Sequence, residues 1–401
     1  MSVNGRDMIQ THHEELTMDQ VRRLMMPAIS LVGPGAIGSL AEELQGLGCA
    51  KPLIVTDKVL TAIGLVAKLE KILKAASINY TLFDEVQPNP NTACIDAGLS
   101  LYVNEQCDAL VSFGGGSPQD AAKAIGILAT NGGRIADYEG INKSLKKSAP
   151  IIAINTTAGT ASEVTINYVI TNEQTKIKMV MVDKNCLASV AISDPEFMLA
   201  KPADLTAATG MDALTHAVEA YLSIGAFELS DHLALKAIEL IGSSLEAAVT
   251  DGENIEARSK MAWASYIAGL AFNNCGLGYV HSMAHQLGGL YDLPHGVCNA
   301  ILLPHVERFN ASACGNKLAK VADALGTNTD GMSLEEANRA ALKAIETLSL
   351  RVGIPRGLKE LGVEEGDLET MAKNALNDVC KGTNPRDVNL AQTVQIYRDA
   401  M

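Results

Sequence analysis

Ala109-Leu-Val-Ser-Phe-Gly-Gly-Gly-Ser-Pro-Gln-Asp-Ala-Ala-Lys-Ala-Ile125 passes from an apolar run, through three glycines, into a helix-forming segment. A short continuous apolar run stopped by glycine predicts a strand covered on both faces, as in a parallel sheet. Gly114, Gly115 and Gly116 let the backbone turn its N–H groups toward a ligand. Ser117, Pro118 and Asp120 suit the N-cap, first and third positions of the helix that follows. A glycine loop entering a helix N-terminus is an anion site, and pyrophosphate is the expected occupant. A bare strand-to-helix turn would need one glycine rather than three.

Outward from this stretch, strand and helix patterns alternate between about residues 28 and 198. The strands are expected at 52–56, 80–83, 109–113 and 150–155, the helices near 61–76, 92–106 and 118–131. Alternation at this period predicts an α/β, Rossmann-like parallel sheet with helices on both faces. After Asp194-Pro195 the texture becomes alanine, leucine and glutamate at helical spacing, over 204–250, 256–272, 277–290 and 333–350. We therefore expect a loose tail over 1–18, a dinucleotide-binding domain over 19–200 and an all-α, metal-binding domain over 201–401, packed around a cleft.

A second glycine segment competes for the phosphate. Gly33-Pro-Gly35-Ala-Ile-Gly38 is a formal G-x-G-x-x-G with Asp57 nineteen residues on. Pro34 offers no N–H, and the match comes before the regular strand-helix units begin, so the 114–118 loop is preferred. Asp57, closing Leu-Ile-Val-Thr-Asp, suits an adenosine ribose: a carboxylate accepts from ribose hydroxyls and repels a 2′-phosphate, which favours NAD over NADP. Thr156-Thr157-Ala-Gly-Thr160 also follows a strand and offers hydroxyls to the same sheet edge.

Metal chemistry is suggested further along. Asp212 and His216 are four residues apart in Gly-Met-Asp-Ala-Leu-Thr-His, as are His281 and His285 in His-Ser-Met-Ala-His, so each pair shares a helical face. His295 follows in Leu-Pro-His-Gly, read as a turn. Each pair alone is equally the wet side of an amphipathic helix. Together, three imidazoles and a carboxylate form an N/O set suited to Fe2+ or Zn2+. His232 and His305 lack such a setting, and His12-His13 belong to the tail.

The 401 residues carry 32 Lys and Arg against 46 Asp and Glu, a net charge of −14, which argues against nucleic acid or an anionic membrane surface as partner. Eight cysteines without a C-x-x-C fit a reducing cytoplasm. No apolar stretch is long enough to span a membrane, and the N-terminus lacks the apolar centre of a secretory signal.

With the glycine loop, Thr156-Thr-Ala-Gly-Thr160, Ala207-Ala-Thr-Gly-Met-Asp-Ala-Leu-Thr-His216 and His281-Ser-Met-Ala-His285 ten residues before His295-Gly in one order, the chain resembles the iron-containing alcohol dehydrogenases from about residue 25 onward. Within them it looks most like the branch of NAD-dependent methanol dehydrogenases, 1,3-propanediol dehydrogenases and lactaldehyde reductases. The resemblance implies a dehydroquinate synthase-like two-domain architecture with metal ligands at Asp212, His216, His281 and His295. It implies cofactor contacts at Asp57, Asn89, Gly114, Gly115, Gly116, Ser117, Pro118, Thr156, Thr157, Thr160 and Lys178, and a catalytic histidine near the nicotinamide at His285. The chain has Gly159-Thr-Ala161-Ser-Glu163 where members often carry Gly-Thr-Gly-Ser-Glu. The implied activity is hydride transfer between a short primary alcohol or diol and NAD, with Fe2+ or alternatively Zn2+, in a homo-oligomer between dimer and decamer. Two rival readings are an NAD- and metal-dependent elimination of the dehydroquinate synthase kind and a non-catalytic NAD- or metal-binding protein. The first calls for a basic cluster in the cleft, and the stretch 200–300 holds only Lys201, Lys236, Arg258 and Lys260.

Overall fold

The computed structural model describes residues 21–401 except Lys176. The expected tail over 1–18, with His12 and His13, lies outside the described residues. In chain order the first half contains β1 (Ile29–Val32), α1 (Leu40–Gly46), β2 (Pro52–Val55), α2 (Lys58–Ala62), α3 (Leu65–Ala75), β3 (Thr81–Phe83) and α4 (Thr92–Asn104). It continues with β4 (Ala109–Gly114), α5 (Gly116–Asn131), β5 (Gly140–Ile141), β6 (Ile151–Asn155), β7 (Asn167–Asn172), β8 (Ile177–Val182) and β9 (Val190–Ser193).

Six strands form a parallel sheet in the order β1-β9-β6-β4-β2-β3. Strands β2, β4, β6 and β9 are buried along their whole length, as continuous apolar runs require. Alternate residues serve opposite faces: Leu53, Val55, Leu110, Ile151 and Ala153 enter one core, whereas Ile54, Val111, Phe113, Ile152 and Ile154 enter the other. Beside this sheet β7 and β8 pair antiparallel and β5 joins β8.

Three expectations for this half need correction. The helix near 61–76 is two helices, because Gly64 takes a left-handed φ of 79° between α2 and α3. Helix α5 begins at Gly116 with Gly115 as N-cap, two residues ahead of the expected Ser117, and Asp120 turns inward instead of capping. Gly33 does follow a strand of the sheet, since β1 was missed: it is a four-residue edge strand with no fully buried side chain.

From Ala203 onward the described residues contain helices and no strand: α6 (Ala203–Leu222), α7 (Glu228–Thr250), α8 (Ile255–Cys275), α9 (Tyr279–Tyr291), α10 (His295–Asn310), α11 (Lys317–Ala324), α12 (Leu334–Arg351), α13 (Leu368–Ala375) and α14 (Leu390–Asp399). Capping boxes start two of them, Ser333 with Glu336 at α12 and Asn389 with Gln392 at α14. Helix α6 is the buried axle of this half; from Met211 to Leu222 every residue is buried. It packs against α7, α8 and α10. Its neighbours approach through glycines: a Cβ on Gly210 would lie 2.2 Å from Leu245 Cδ1, and one on Gly296 2.2 Å from the Ala208 carbonyl oxygen. Gly296 thus allows the start of α10 to rest on α6, which brings His295 beside Asp212. His295 itself opens α10 behind Pro294 as N-cap, where a turn was expected.

Candidate active site

Asp212 and His216 stand one turn apart on α6, and no wet face exists there: they are 2% and 5% exposed. That removes the amphipathic-helix reading of the pair. From Asp212 Oδ1, His216 Nε2 lies at 4.0 Å, His281 Nε2 at 3.9 Å and His295 Nε2 at 3.7 Å. Tetrahedral coordination with bonds of about 2.1 Å sets donor atoms roughly 3.4 Å apart; Asp212, His216 and His281 offer atoms within 4.8 Å of one another, and His295 joins them through its approach to Asp212. Neither Asp212 nor the nearby buried carboxylate of Glu219 is bonded to a lysine or arginine among the described residues. Two buried carboxylates without a cationic side chain, beside three imidazoles, are a donor set that fits a metal cation. Burial above all drives His281 well below the ordinary histidine range and lowers His216, which holds both imidazoles neutral and able to coordinate; His295, with its side chain 38% exposed, is shifted in the same direction.

Other groups frame this cluster. Phe272 stacks on His216 at 4.4 Å between centroids, and His216 stacks on His281 at 4.6 Å. Asn299, one turn after His295, donates from Nδ2 to Asp212 Oδ1 at 2.8 Å. His285 is not among the converging atoms. Its ring stacks on His295 with 5.4 Å between centroids, and its Nδ1 meets Asp378 Oδ2 at 2.8 Å. Asp378 is itself tied by the Cys380 N–H at 2.9 Å.

Three adjoining cavities run from the sheet to His285, whose ring stacks on His295. The first, about 820 Å3, is bordered by Asp57, Gly115, Gly116, Ser117, Pro118 and Thr157. The second, about 450 Å3, shares Pro88, Asn91 and Glu173 with the first and contains Asn89 and Lys178. The third, about 610 Å3, shares Lys178 and Gly289 with the second and reaches His285. Lys178 Nζ donates to Asn89 Oδ1 at 2.8 Å, and Asn89 Nδ2 donates to Asp292 Oδ1 at 2.8 Å, which links the two halves of the chain across the cleft.

The remaining expected contacts lie behind the glycine loop. Thr156 N–H bonds the Gly114 carbonyl at 3.1 Å, and Thr160 packs where a Cβ on Gly116 would come within 3.1 Å of its Cγ2. The fully buried Lys123 donates to Ser162 Oγ at 2.8 Å and the Asn167 carbonyl at 2.7 Å, while Ser162 Oγ donates to Asp120 at 3.0 Å. This clamp ties α5 to the threonine loop. Ala161 adopts a left-handed φ of 51°, the reason a glycine suits that position better than an alanine. Asp57 also caps α2, its Oδ1 accepting from the Leu60 N–H at 2.9 Å. The rival segment turns elsewhere: Gly33 N–H bonds the Ser193 carbonyl, Ile37 N–H bonds Asp194, and none of residues 33–38 borders the three cavities.

Sequence reasoning missed Glu219, Asn299, Asp378 and Lys201, the last bordering the first cavity with Asp57. Glu219 and Asn299 had a signal, since each continues a ligand-bearing helical face at three or four residues. Asp378 had none.

A parallel sheet carrying a glycine loop thus stands beside a helical half in which three imidazoles approach one buried carboxylate. Residues 27–195 match the family described as iron-containing alcohol dehydrogenase, and residues 206–401 match the C-terminal part of the Fe-containing alcohol dehydrogenase family. The chain is 50% identical over 378 residues to the 1,3-propanediol dehydrogenase of Citrobacter freundii, covering 94% of this chain and 98% of that protein. It is 46% identical over 376 residues to the NAD-dependent methanol dehydrogenase of Bacillus methanolicus, covering 94% and 99%. A solved 1,3-propanediol oxidoreductase superposes with a TM-score of 0.94 at 49% identity, over 95% of this chain and all of that one. The chain belongs to the iron-containing alcohol dehydrogenase family and is an oxidoreductase.

Proposed function

We propose that the protein transfers hydride between a short primary alcohol or diol and NAD, and reduces the corresponding aldehyde in the reverse direction. The observation that carries this reading is the approach of three imidazole nitrogens to within 4.0 Å of Asp212 Oδ1, with His295 stacked on the cavity-lining His285. Asp212, His216, His281 and His295 would hold a divalent ion, iron by family and zinc as the alternative. When bound, such an ion supplies Lewis acidity to the alcohol oxygen, and NAD supplies the hydride acceptor.

The chain's own residues do the rest. The N–H groups of the 115–117 loop face the pyrophosphate, Asp57 accepts from the adenosine ribose, and Thr156, Thr157 and Thr160 shape the floor of the groove. Asn89 and Lys178 reach the nicotinamide half. With Nδ1 engaged by Asp378, His285 keeps Nε2 for the alcohol proton. The cavity at His285 combines an aliphatic wall of Val169, Val180, Val182 and Met371 with the polar Lys178, Asn374 and Asp378, a mixed lining suited to a short alcohol or diol.

Elimination chemistry on a phosphorylated acid finds less support. Arg258 is committed to Thr206, Gly252 and Lys201, so it contributes no cation to the cluster. No helix among the described residues is long and apolar enough to cross a membrane. A homo-oligomer in the cytoplasm completes the proposal.

The test is NADH formation by protein stripped of metal and reloaded anaerobically with Fe2+ or Zn2+, with methanol, 1-propanol, 1,2-propanediol and 1,3-propanediol. Turnover that returns only with metal is expected. No turnover with any pair, despite metal uptake and NADH binding, would overturn the reading.

A further inference from the structure

We infer that Glu219 is the positioning residue of the metal centre: its carboxylate fixes the tautomer and direction of His281. The inference rests on the metal reading proposed above and adds to it a residue outside the four donors.

Glu219 lies on α6, three residues after His216 and seven after Asp212, so one helical face carries two donors and this carboxylate. It is 2% exposed. Its Oε2 accepts from His281 Nδ1, and its Oε1 accepts from the Val280 N–H at 2.6 Å. Helix α9 therefore begins wrapped around a carboxylate contributed by α6, a favourable place for a negative charge. The approach is tight enough to demand Gly278, where an added Cβ would stand 2.8 Å from Glu219 Oε1.

The chemistry follows from the two contacts. Imidazole has one proton to place when neutral. A carboxylate against Nδ1 keeps the proton there, leaving the Nε2 lone pair to face Asp212 and the Asn299 amide, which stands 3.1 Å from it. Both carboxylate oxygens are occupied as acceptors, so no neutral side chain of the same shape can replace them. In Glu219→Gln, an amide carbonyl serving Val280 puts an NH2 against His281 Nδ1, which moves the imidazole proton to Nε2 and removes a donor. The opposite amide orientation sets the NH2 against the Val280 N–H. Either arrangement costs the site its third imidazole or the start of α9.

Buried Glu307 is the next acidic group behind Glu219, and Asn310 Nδ2 donates to its Oε2 at 3.1 Å. Among the described residues Glu219 has no cationic side chain as hydrogen-bond partner, only the His281 imidazole and the Val280 N–H.

Metal affinity of the stripped full-length protein, measured with Zn2+ and Co2+ against a competing chelator, tests this. Glu219→Gln should weaken binding by about 10–100-fold and alter the visible d–d bands of the Co2+ form, with NADH binding unchanged. Glu219→Asp keeps the charge but withdraws it by one methylene; it should weaken affinity in the same direction, and it decides the matter if the Gln variant does not fold. Wild-type affinity and Co2+ spectrum in a folded variant, even one with a lowered melting temperature, would leave Glu219 a purely structural cap and overturn the inference. If the wild-type protein itself takes up no divalent ion, the metal reading falls instead.

Discussion

His285 Nδ1 is held 2.8 Å from Asp378 Oδ2, and that carboxylate is in turn fixed by the Cys380 N–H, so the ring next to His295 is locked in orientation without joining the converging donors. His285→Ala should therefore retain full metal content while kcat falls by about 10²–10⁴, the usual worth of a positioned acid-base group. Metal analysis beside turnover checks both halves. Loss of the ion in this variant would refute the division of roles.

His281→Ala removes a donor that is 2% exposed and bonded to Glu219. It should lose the ion and turnover together, and leaving one oxygen of buried Glu219 without its hydrogen-bond partner should cost about 1–3 kcal/mol of stability. Chemical denaturation and metal content report the two effects separately; a variant that binds metal as the wild type does would contradict the assignment.

Asp57→Gly should raise kcat/KM with NADP+ and lower it with NAD+. Lys58 and Lys201 border the same cavity and become available to a 2′-phosphate once the carboxylate is gone. Because Asp57 also caps α2, the exchange has a structural side, but glycine replaces an aspartate cap at only a few tenths of a kcal/mol. An unchanged cofactor ratio would count against the ribose role.

Gly296→Ala places a methyl group 2.2 Å from the Ala208 carbonyl oxygen and 3.3 Å from Asp212 Cβ. Backbone must move, α10 lifts from α6, and His295 leaves Asp212. A stability loss of about 1–3 kcal/mol with weakened metal binding is expected. Retained affinity would show that α10 does not need this contact.

Burial pushes the Glu307 carboxyl up to about 7. A carboxyl whose folded pKa exceeds its unfolded value near 4.5 favours the fold fully below about pH 4.5, and this contribution is lost as pH rises through about 7. Glu307→Gln should melt with the wild type at pH 5 and above it at pH 8, by about 1–3 kcal/mol. A pH-independent difference between the two proteins would exclude this origin.

Much of the architecture was readable because parallel strands buried on both faces are continuous apolar runs; β2, β4 and β6 announce themselves that way. The edge strand β1, four residues with a polar Ser30 and partial exposure, carries no such signature. Strands β7 and β8 escaped for another reason: they are joined across residues 173–176 without the glycine or Asn-Gly that marks a tight hairpin. At the candidate site the spacing of Asp212 with His216 exposes a shared face, yet the same helix hides the role of Glu219, whose partner His281 is 62 residues away and three helices later. His295 was read as a turn residue because Pro294 and Gly296 flank it, whereas proline is equally at home at a helix start. Ala161 shows the converse, a position where sequence comparison suggests glycine and the backbone angle gives the reason.

All four proposed donors belong to α6, α9 and α10, while the glycine loop belongs to the sheet half. Were the cleft to widen as a spent nucleotide leaves, no proposed donor would be parted from another. The ion would stay with its helices through every exchange of coenzyme. Inactivation of such an enzyme in air or chelator should accordingly follow the slow breathing of the helical half rather than the rapid traffic of nucleotides past it.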